Sequence, residues 1–146
     1  MLEYLDIFKL YFKIFIDTIN NKLRIPYSRP WGQYESIIDF HENNLHNDES
    51  GYKVKRIIVK PNSRLSLQSH DHRSEHWILV QGSGLVQVGD DTFNLHKNQH
   101  IFIPKNSKHR ITNTNNEEEL VFIEVQIGNY LGEDDITRYE DDFGRT

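Results

Sequence analysis

The chain of 146 residues contains no cysteine. A disulfide framework and a thiolate zinc site are therefore excluded, and a metal ion would have to be held by imidazole, carboxylate or amide groups. The chain also lacks an excess of positive charge, since 17 Lys and Arg stand against 22 Asp and Glu, for a formal net charge of -5. This balance offers no broad surface for a phosphate backbone, so we expect no nucleic-acid partner.

A long uncharged apolar run is absent too. Charged residues interrupt the apolar N-terminal segment every three or four positions: Glu3, Asp6, Lys9, Lys13 and Asp17. We expect no membrane insertion and a cytoplasmic location. The apolar residues between the charges recur at helical spacing and predict an amphipathic α-helix over residues 2–19, with one apolar stripe: Leu5, Phe8, Phe12, Phe15 and Ile19. The stripe is expected to pack on the domain or on a partner subunit.

From Tyr52 onward, short β-branched and aromatic runs alternate with turn-forming residues. The predicted strands are YKVKRIIVK, EHWILVQG, GLVQVGDDTFNL, HIFIPK, HRITNT and ELVFIEVQ. The polar, Asn-rich stretch 40–50 is expected to be a loop. The pattern predicts an all-β sandwich or barrel, with residues 1–28 forming the N-terminal helix and linker and residues 29–146 forming one domain.

The stretch LSLQSHDHRSEHW contains the main candidates for a functional site. Gln68 and His70 are two residues apart, Glu75 follows after four residues, and Gly82 follows after six more. Residues two apart on a strand point to the same face, so Gln68 and His70 can both face the inside of a barrel. A second interval comes later, with Asn98, Pro104, Asn106, His109 and Asn113 in that order.

Both intervals resemble the two motifs of the cupins, in which glutamine here replaces the usual first histidine. The resemblance implies a cupin jelly-roll β-barrel, preceded by the N-terminal helix. It also implies one divalent metal ion, with zinc as the first choice and cobalt, manganese, nickel or magnesium as alternatives, bound by Gln68, His70, Glu75 and His109. Asparagine stands where the motifs usually have glycine at positions 62, 98 and 106. Asparagine is the non-glycine residue that best tolerates positive φ, so we expect these turns to be retained.

A rival assignment pairs His70 with His72 as ligands. It shifts the strand register and leaves only two residues before Glu75, so we favour Gln68. On that register His72 falls in a turn, and His76 points to the opposite face from Glu75.

A narrower resemblance covers residues from about Arg29 to Arg145. RPWGQYESI, YKVKRIIVKPNSRLSLQSHDHRSEHWILVQGSG, NQHIFIPKNSKHRITN and IEVQIGNYLGEDDITRYEDDFGR resemble the C-terminal isomerase domain of type II phosphomannose isomerases, which is the cupin half of bifunctional mannose-1-phosphate guanylyltransferase/isomerase enzymes. The resemblance implies a metal-dependent mannose-6-phosphate isomerase that acts through a cis-enediol. No glycine-rich nucleotidyltransferase loop precedes RPWG, so we expect no guanylyl transfer from this chain.

Arg73, in the turn expected at the mouth of the barrel, is the candidate to bind the substrate phosphate or to stabilise the enediolate. Several residues are candidates for the proton-transferring group, and the sequence does not rank them: Glu133, Asp134, Asp135, His72 and Lys55. We take Arg73, Glu133 and Asp135 as the catalytic candidates. Substrate binding is assigned to Lys55, Arg73, Arg138 and Arg145, because a dianionic phosphate in an acidic protein needs local cations. Arg29, Pro30 and Trp31 fit either a cap at the entry to a strand or a wall of the substrate site, and we favour the structural role.

Two other functions stay open at this level. One is a different sugar-phosphate or nucleotide-sugar cupin, an epimerase or a ketoisomerase. The other is a non-catalytic domain that binds a sugar phosphate or a partner. In each case we expect a homodimer, because cupin sheets have edges and apolar outer faces that a second copy often covers.

Overall fold

The computed structural model describes residues 9, 11–13, 15–16, 25–40 and 51–145, with only the backbone of Phe40. These residues contain the following strands: β1 (Tyr27–Arg29), β2 (Gly32–Phe40), β3 (Gly51–Val59), β4 (Leu67–Ser69), β5 (Arg73–Gln81), β6 (Ser83–Val88), β7 (Asp91–His96), β8 (His100–Ile103), β9 (His109–Thr112), β10 (Leu120–Gly128) and β11 (Thr137–Glu140).

The strands form two antiparallel sheets. The first sheet has the order β1-β2-β3-β10-β5-β8, and the second has the order β11-β4-β9-β6-β7. Strands that are distant in sequence, such as β3, β10 and β5, are neighbours, so the chain crosses repeatedly between the sheets as in a jelly roll. The expected all-β jelly-roll barrel is confirmed.

The apolar core lies between the two sheets. Trp77, Leu79 and Phe122 of the first sheet pack with Val86 and Ile111 of the second, and all five side chains are completely buried. On β5 and β6 the buried residues alternate with more exposed ones, as the period of two in a strand requires, whereas Ile111 and Phe122 lie in consecutively buried runs.

The inward-facing residues change from apolar to polar along the same strands. On β10 the buried Phe122 is followed by Glu124 and Gln126, and on β3 Lys53 and Lys55 precede the apolar residues. Because β3 and β10 are antiparallel, the polar parts of the two strands lie side by side. The barrel interior therefore has one apolar end and one polar end, and the polar end holds the candidate site.

Three asparagines adopt the left-handed conformation that was expected of them. Asn62, Asn98 and Asn106 have φ values of 52, 72 and 62°. The asparagines take these turns without a glycine because their side chains tolerate positive φ better than other residues. The prediction that the turns are retained is confirmed.

Four of the strands were not assigned from the sequence: β1, β2, β4 and β11. β1 and β2 form a hairpin that turns at Pro30 and Trp31, where the sequence indicated only a strand entry. β1 and β4 are three residues long and β11 is four, too short for a period of two to be recognised.

The N-terminal helix is described only in part. Lys9, Tyr11–Lys13, Phe15 and Ile16 are helical, and Phe12 and Phe15 are 56% and 59% exposed. The remaining residues of the predicted apolar stripe, and the predicted loop after Phe40, lie outside the described residues. Within the described part of the chain, no helix is long and apolar enough to cross a membrane.

Candidate active site

Three of the four predicted ligands converge between the two sheets. The ligand atoms of His70, Glu75 and His109 all lie within 4.8 Å of one another. His70 Nε2 is 3.2 Å from Glu75 Oε1, and His109 Nε2 is 3.5 Å from Glu75 Oε2. All three side chains are buried, so a cation bound there would be screened little by solvent.

Backbone carbonyls orient both imidazole rings. His70 Nδ1 donates to the carbonyl oxygen of Asp135 at 2.5 Å, and His109 Nδ1 donates to that of Ser107 at 2.8 Å. A carbonyl only accepts, so each Nδ1 carries a proton and Nε2 of each ring faces the cluster. Within the described residues, the buried Nε2 of His109 has no hydrogen-bond partner. Two imidazoles and one carboxylate in this orientation fit a divalent metal ion.

Glu75 supplies the negative charge of the cluster. Burial by itself would raise the pKa of its carboxyl, but the adjacent imidazole groups of His109 and His70 hold that pKa well below its ordinary value. The Glu75 side chain is therefore ionised, as a metal ligand must be.

Gln68 lies directly across from His109 in the pairing of β4 with β9. Its amide nitrogen is 3.4 Å from His70 Nε2, and its Oε1 accepts a hydrogen bond of 2.7 Å from Ser66. A half-turn of the amide exchanges the two atoms and directs the oxygen toward the cluster. The fourth predicted ligand thus lies beside the other three.

The other two histidines of the stretch point elsewhere. The side chain of His72 is 52% exposed in the turn before β5, with its Nδ1 3.1 Å from Asp135 Oδ1. His76 packs on Phe102 with 4.8 Å between ring centroids, and Glu75, one position earlier on the strand, is buried. Neither histidine belongs to the cluster of buried ligand atoms.

Arg73 is the first residue of β5 and lies inside the barrel, not in a turn at its mouth as expected. Its Nε donates to Glu75 Oε1 at 3.0 Å, and its second terminal nitrogen lies 3.3 Å from His70 Nε2. The backbone turns inward here because Gly128 allows a close approach: a Cβ on Gly128 would meet the carbonyl oxygen of His72 at 2.1 Å. Burial by itself would lower the pKa of Arg73, but Glu75 and Glu124 raise it, so the guanidinium stays charged.

A cavity of about 110 Å³ opens beside the cluster. Its lining includes the four predicted substrate-binding residues Lys55, Arg73, Arg138 and Arg145. Arg29, which the sequence assigned to a structural role, lines it as well. Burial, together with the charges of Arg145 and Arg29, lowers the pKa of Arg138 against the opposing charges of Asp141 and Glu133.

Two of the catalytic candidates are carboxylates of the C-terminal segment, residues 129–145. Glu133 lines the cavity, is half exposed, and forms an ion pair with the buried Lys55. Burial raises the pKa of Glu133, but the charge and the hydrogen bond of Lys55 oppose this effect. The net shift of the Glu133 pKa is downward.

Asp135 lies behind the cluster. Its carboxylate accepts hydrogen bonds from the backbone nitrogens of Asp71 and His72, at 3.0 and 3.2 Å, and its carbonyl oxygen accepts from His70 and Arg73. Asp134, also considered from the sequence, is exposed and accepts a hydrogen bond from Tyr130.

Sequence reasoning missed Glu124 and Gln126, which are buried and line the cavity. Burial and the nearby Glu75 raise the pKa of Glu124 to about 7, against the opposing charges of Lys55 and Arg73. A signal was present in ELVFIEVQ, where the alternation that buries Leu120 and Phe122 continues onto these two polar residues. Polar residues on a core-facing register indicate a site.

Comparison with known proteins identifies the family of the chain. The family model described as "Mannose-6-phosphate isomerase C-terminal" matches residues 18–141. The chain is 50% identical over 119 residues to alginate biosynthesis protein AlgA of Pseudomonas aeruginosa and 49% identical over 118 residues to xanthan biosynthesis protein XanB of Xanthomonas campestris. It is 44% identical over 117 residues to mannose-1-phosphate guanylyltransferase ManC of Salmonella typhimurium. These matches cover 80–81% of the chain but only 22–23% of each relative.

Solved structures support the fold. The capsular polysaccharide assembling protein CapF of Staphylococcus aureus matches with a TM-score of 0.63 and 16% identity, over 80% of this chain and 32% of that one. Rru_A2000 of Rhodospirillum rubrum, described as a cupin-2 domain, matches with a TM-score of 0.55 and 17% identity, over 76% of each chain. These likenesses confirm the expected jelly-roll fold. Since the family model spans most of the chain, the chain belongs to the mannose-6-phosphate isomerase C-terminal family.

Proposed function

We propose that the chain is a metal-dependent aldose-ketose isomerase that interconverts mannose 6-phosphate and fructose 6-phosphate through a cis-enediol. The observation that carries the proposal is the placement of a buried His-Glu-His cluster and a group of arginines around one cavity. Membership of the family supports the choice of substrate class.

The arginines suit the phosphate end of the substrate. Arg138 and Arg145 are less buried than the cluster, and Arg29 lies near enough to lower the pKa of Arg138. Guanidinium groups bind phosphate through paired hydrogen bonds, and a protein with a net charge of -5 needs such a local group to attract a dianion.

The cluster suits the reacting end. Gln68, His70, Glu75 and His109 would hold one divalent ion, with zinc as the first choice. When bound there, the ion supplies Lewis-acid stabilisation of charge on the substrate oxygens. Arg73 lies beside the cluster and donates to Glu75, so we assign it to the developing enediolate rather than to the phosphate.

The two carboxylates of the C-terminal segment take different roles. Glu133, half exposed and paired with Lys55, is proposed to pass protons between that lysine and solvent. Asp135 is proposed as a positioning residue, because its carbonyl oxygen orients His70 and Arg73 and its carboxylate holds the turn between them.

A coupled assay with mannose 6-phosphate, run with zinc, cobalt, manganese, nickel and magnesium in turn, tests the proposal. We expect turnover that depends on the ion and disappears on chelation. Turnover of a nucleotide sugar instead would favour an epimerase or ketoisomerase of activated hexoses. Binding of the sugar phosphate without any turnover, with metal bound, would favour a non-catalytic domain.

A further inference from the structure

We propose that Glu124, together with Lys55, moves the protons during the isomerisation: the Glu124 carboxyl group serves the carbon atoms and the Lys55 ammonium group serves the oxygens. This assignment rests on the proposed function and names a catalytic pair within it. It replaces the choice among five proton-transfer candidates that the sequence left unranked.

The first support is the strand register. Glu124 on β10 pairs with Lys55 on β3 at one side and with Trp77 on β5 at the other. Directly opposed residues on one face of a sheet have Cβ atoms about 5 Å apart, so Glu124 and Lys55 are immediate neighbours. Both are buried, at 4% exposed each, and both line the cavity.

The second support is the hydrogen bonding around the carboxyl group. Trp77 Nε1 donates to Glu124 Oε2 at 3.2 Å and to Glu75 Oε2 at 3.0 Å. Gln126 Nε2 donates to Glu124 Oε1 at 2.6 Å and to Glu75 Oε1 at 3.5 Å. Two shared donors thus hold the Glu124 carboxyl group at a fixed distance from the proposed ligand Glu75, where it can meet a substrate carbon next to a bound oxygen.

The third support is the position of the alternatives. Asp135 already accepts hydrogen bonds from the turn that follows His70, Asp134 is exposed, and His72 is exposed in that turn. Glu133 is half exposed, and its carboxylate is already paired with Lys55. Among the described carboxylates that line the cavity, Glu124 is buried and was not assigned to the metal.

The proton transfers balance as follows. The Glu124 carboxylate takes the proton from C2 of the open-chain aldose, the C–H electron pair forms the C1=C2 bond, and the carbonyl oxygen O1 takes a proton from Lys55. The neutral carboxyl group then returns its proton to C1, the O2 hydroxyl group gives its proton back to Lys55, and O2 becomes the ketone. Both residues end in their starting states.

The test uses the full chain loaded with the ion that supports turnover. Glu124→Gln keeps the size of the side chain and removes the base, so we expect kcat to fall at least about 100-fold, with KM for mannose 6-phosphate and metal content unchanged. When Glu124→Gln is incubated with fructose 6-phosphate in D2O, the rate of deuterium incorporation at C1 should fall by the same factor as kcat. Glu119→Gln, an exposed position just before β10, is the matched control and should keep wild-type kinetics.

If Glu124→Gln does not fold, as judged by circular dichroism, Glu124→Asp provides the test. It keeps a carboxylate but withdraws it by one methylene, and we expect a kcat reduced by tenfold or more at unchanged KM. Wild-type kcat and exchange in the folded glutamine variant, or wild-type kcat in the aspartate variant, would overturn the assignment while leaving the proposed function intact. Absence of turnover in the metal-loaded wild type would instead overturn the proposed function.

Discussion

At the scale of single residues, the site depends on which atom of each histidine faces inward. His70 and His109 both direct Nε2 to the cluster because a backbone carbonyl accepts the proton of Nδ1. His72 is two residues from His70, yet its ring lies against Asp135 at the surface. Residue type alone therefore does not define a ligand, since the backbone around each ring decides its direction.

This difference leads to a prediction on metal content. His70→Ala and His109→Ala should each lose the bound ion while the fold is retained, because each removes one of three buried ligand atoms. His72→Ala is the matched control and should keep the ion. Elemental analysis of the three purified variants, with circular dichroism to check the fold, measures this. Loss of the ion in His72→Ala would favour the rival register, in which His70 and His72 are the ligand pair.

A second prediction concerns Arg73. A lysine keeps the charge but loses the planar two-pronged donor geometry with which Arg73 reaches Glu75 and the carbonyl oxygens. Arg73→Lys should keep its metal and lower kcat/KM by roughly tenfold to a thousandfold, which corresponds to about 1.4–4 kcal/mol. We expect the loss in kcat, because Arg73 lies beside the cluster. A raised KM with normal kcat would assign it to the phosphate instead.

At the scale of elements, the C-terminal segment supplies much of the site. It provides Glu133, Arg138 and Arg145 to the cavity, and its backbone orients His70. Ion pairs attach it to the barrel, with Arg64 donating twice to Asp142 at 2.8 Å and Arg110 donating to Glu140 at 2.7 Å. An acidic stretch that could be read as a solvated tail is therefore a wall of the cavity.

A third prediction follows for the pH dependence of stability. Burial raises the pKa of Asp135, but hydrogen bonds from His72 and the backbone of Asp71 and His72 lower it more, so the net shift is downward. A carboxyl group whose pKa is lower in the folded state stabilises the protein above its unfolded pKa, near 3.8, and the stabilisation is lost as the pH falls from about 5 through that value and then through the lower pKa of the folded state.

Asp135→Asn should therefore lower the free energy of unfolding by about 1–3 kcal/mol at neutral pH and flatten its decline below pH 5. Urea denaturation at a series of pH values measures both effects. Asp71→Asn, at an exposed neighbouring position, should match the wild type. Parallel pH curves for wild type and Asp135→Asn would show that this carboxylate does not stabilise the turn.

At the scale of the whole molecule, the outer face of the first sheet is apolar. Ile78 and Val80 on β5 and Phe102 on β8 are 42%, 39% and 50% exposed. Such a continuous exposed patch in a soluble protein is typical of an interface. Together with the exposed Phe12 and Phe15, it supports the proposal of a homodimer.

The fourth prediction is a dimeric mass by light scattering at micromolar concentration. Phe102→Glu should shift the mass toward the monomer, because it places a charge within the apolar face. Phe93→Glu, on β7 of the other sheet and 43% exposed, is the control and should stay dimeric. A monomeric wild type would contradict the proposal, and a monomeric Phe93→Glu variant would place the interface on the second sheet.

From the sequence, seven of the eleven strands that the structure describes could be predicted. The intervals between Gln68, His70, Glu75 and His109 match the cupin motifs, and that resemblance selected these four residues as the candidate ligands. The positive φ of the asparagines at the three turns could also be predicted from the sequence, because it depends on the residue's own backbone preferences. These features are local, and local features are encoded in short stretches.

The surroundings of the cluster depend on how the strands pair in three dimensions. Glu124 becomes a neighbour of Lys55 because β10 pairs between β3 and β5, and Arg29 lines the cavity because β1 joins the edge of the first sheet. Arg73 lies beside His70 because Gly128 on a distant strand lets the backbone approach. Each of these arrangements depends on strands that are far apart in the chain, so it follows from how strands pair and not from the composition of any one of them.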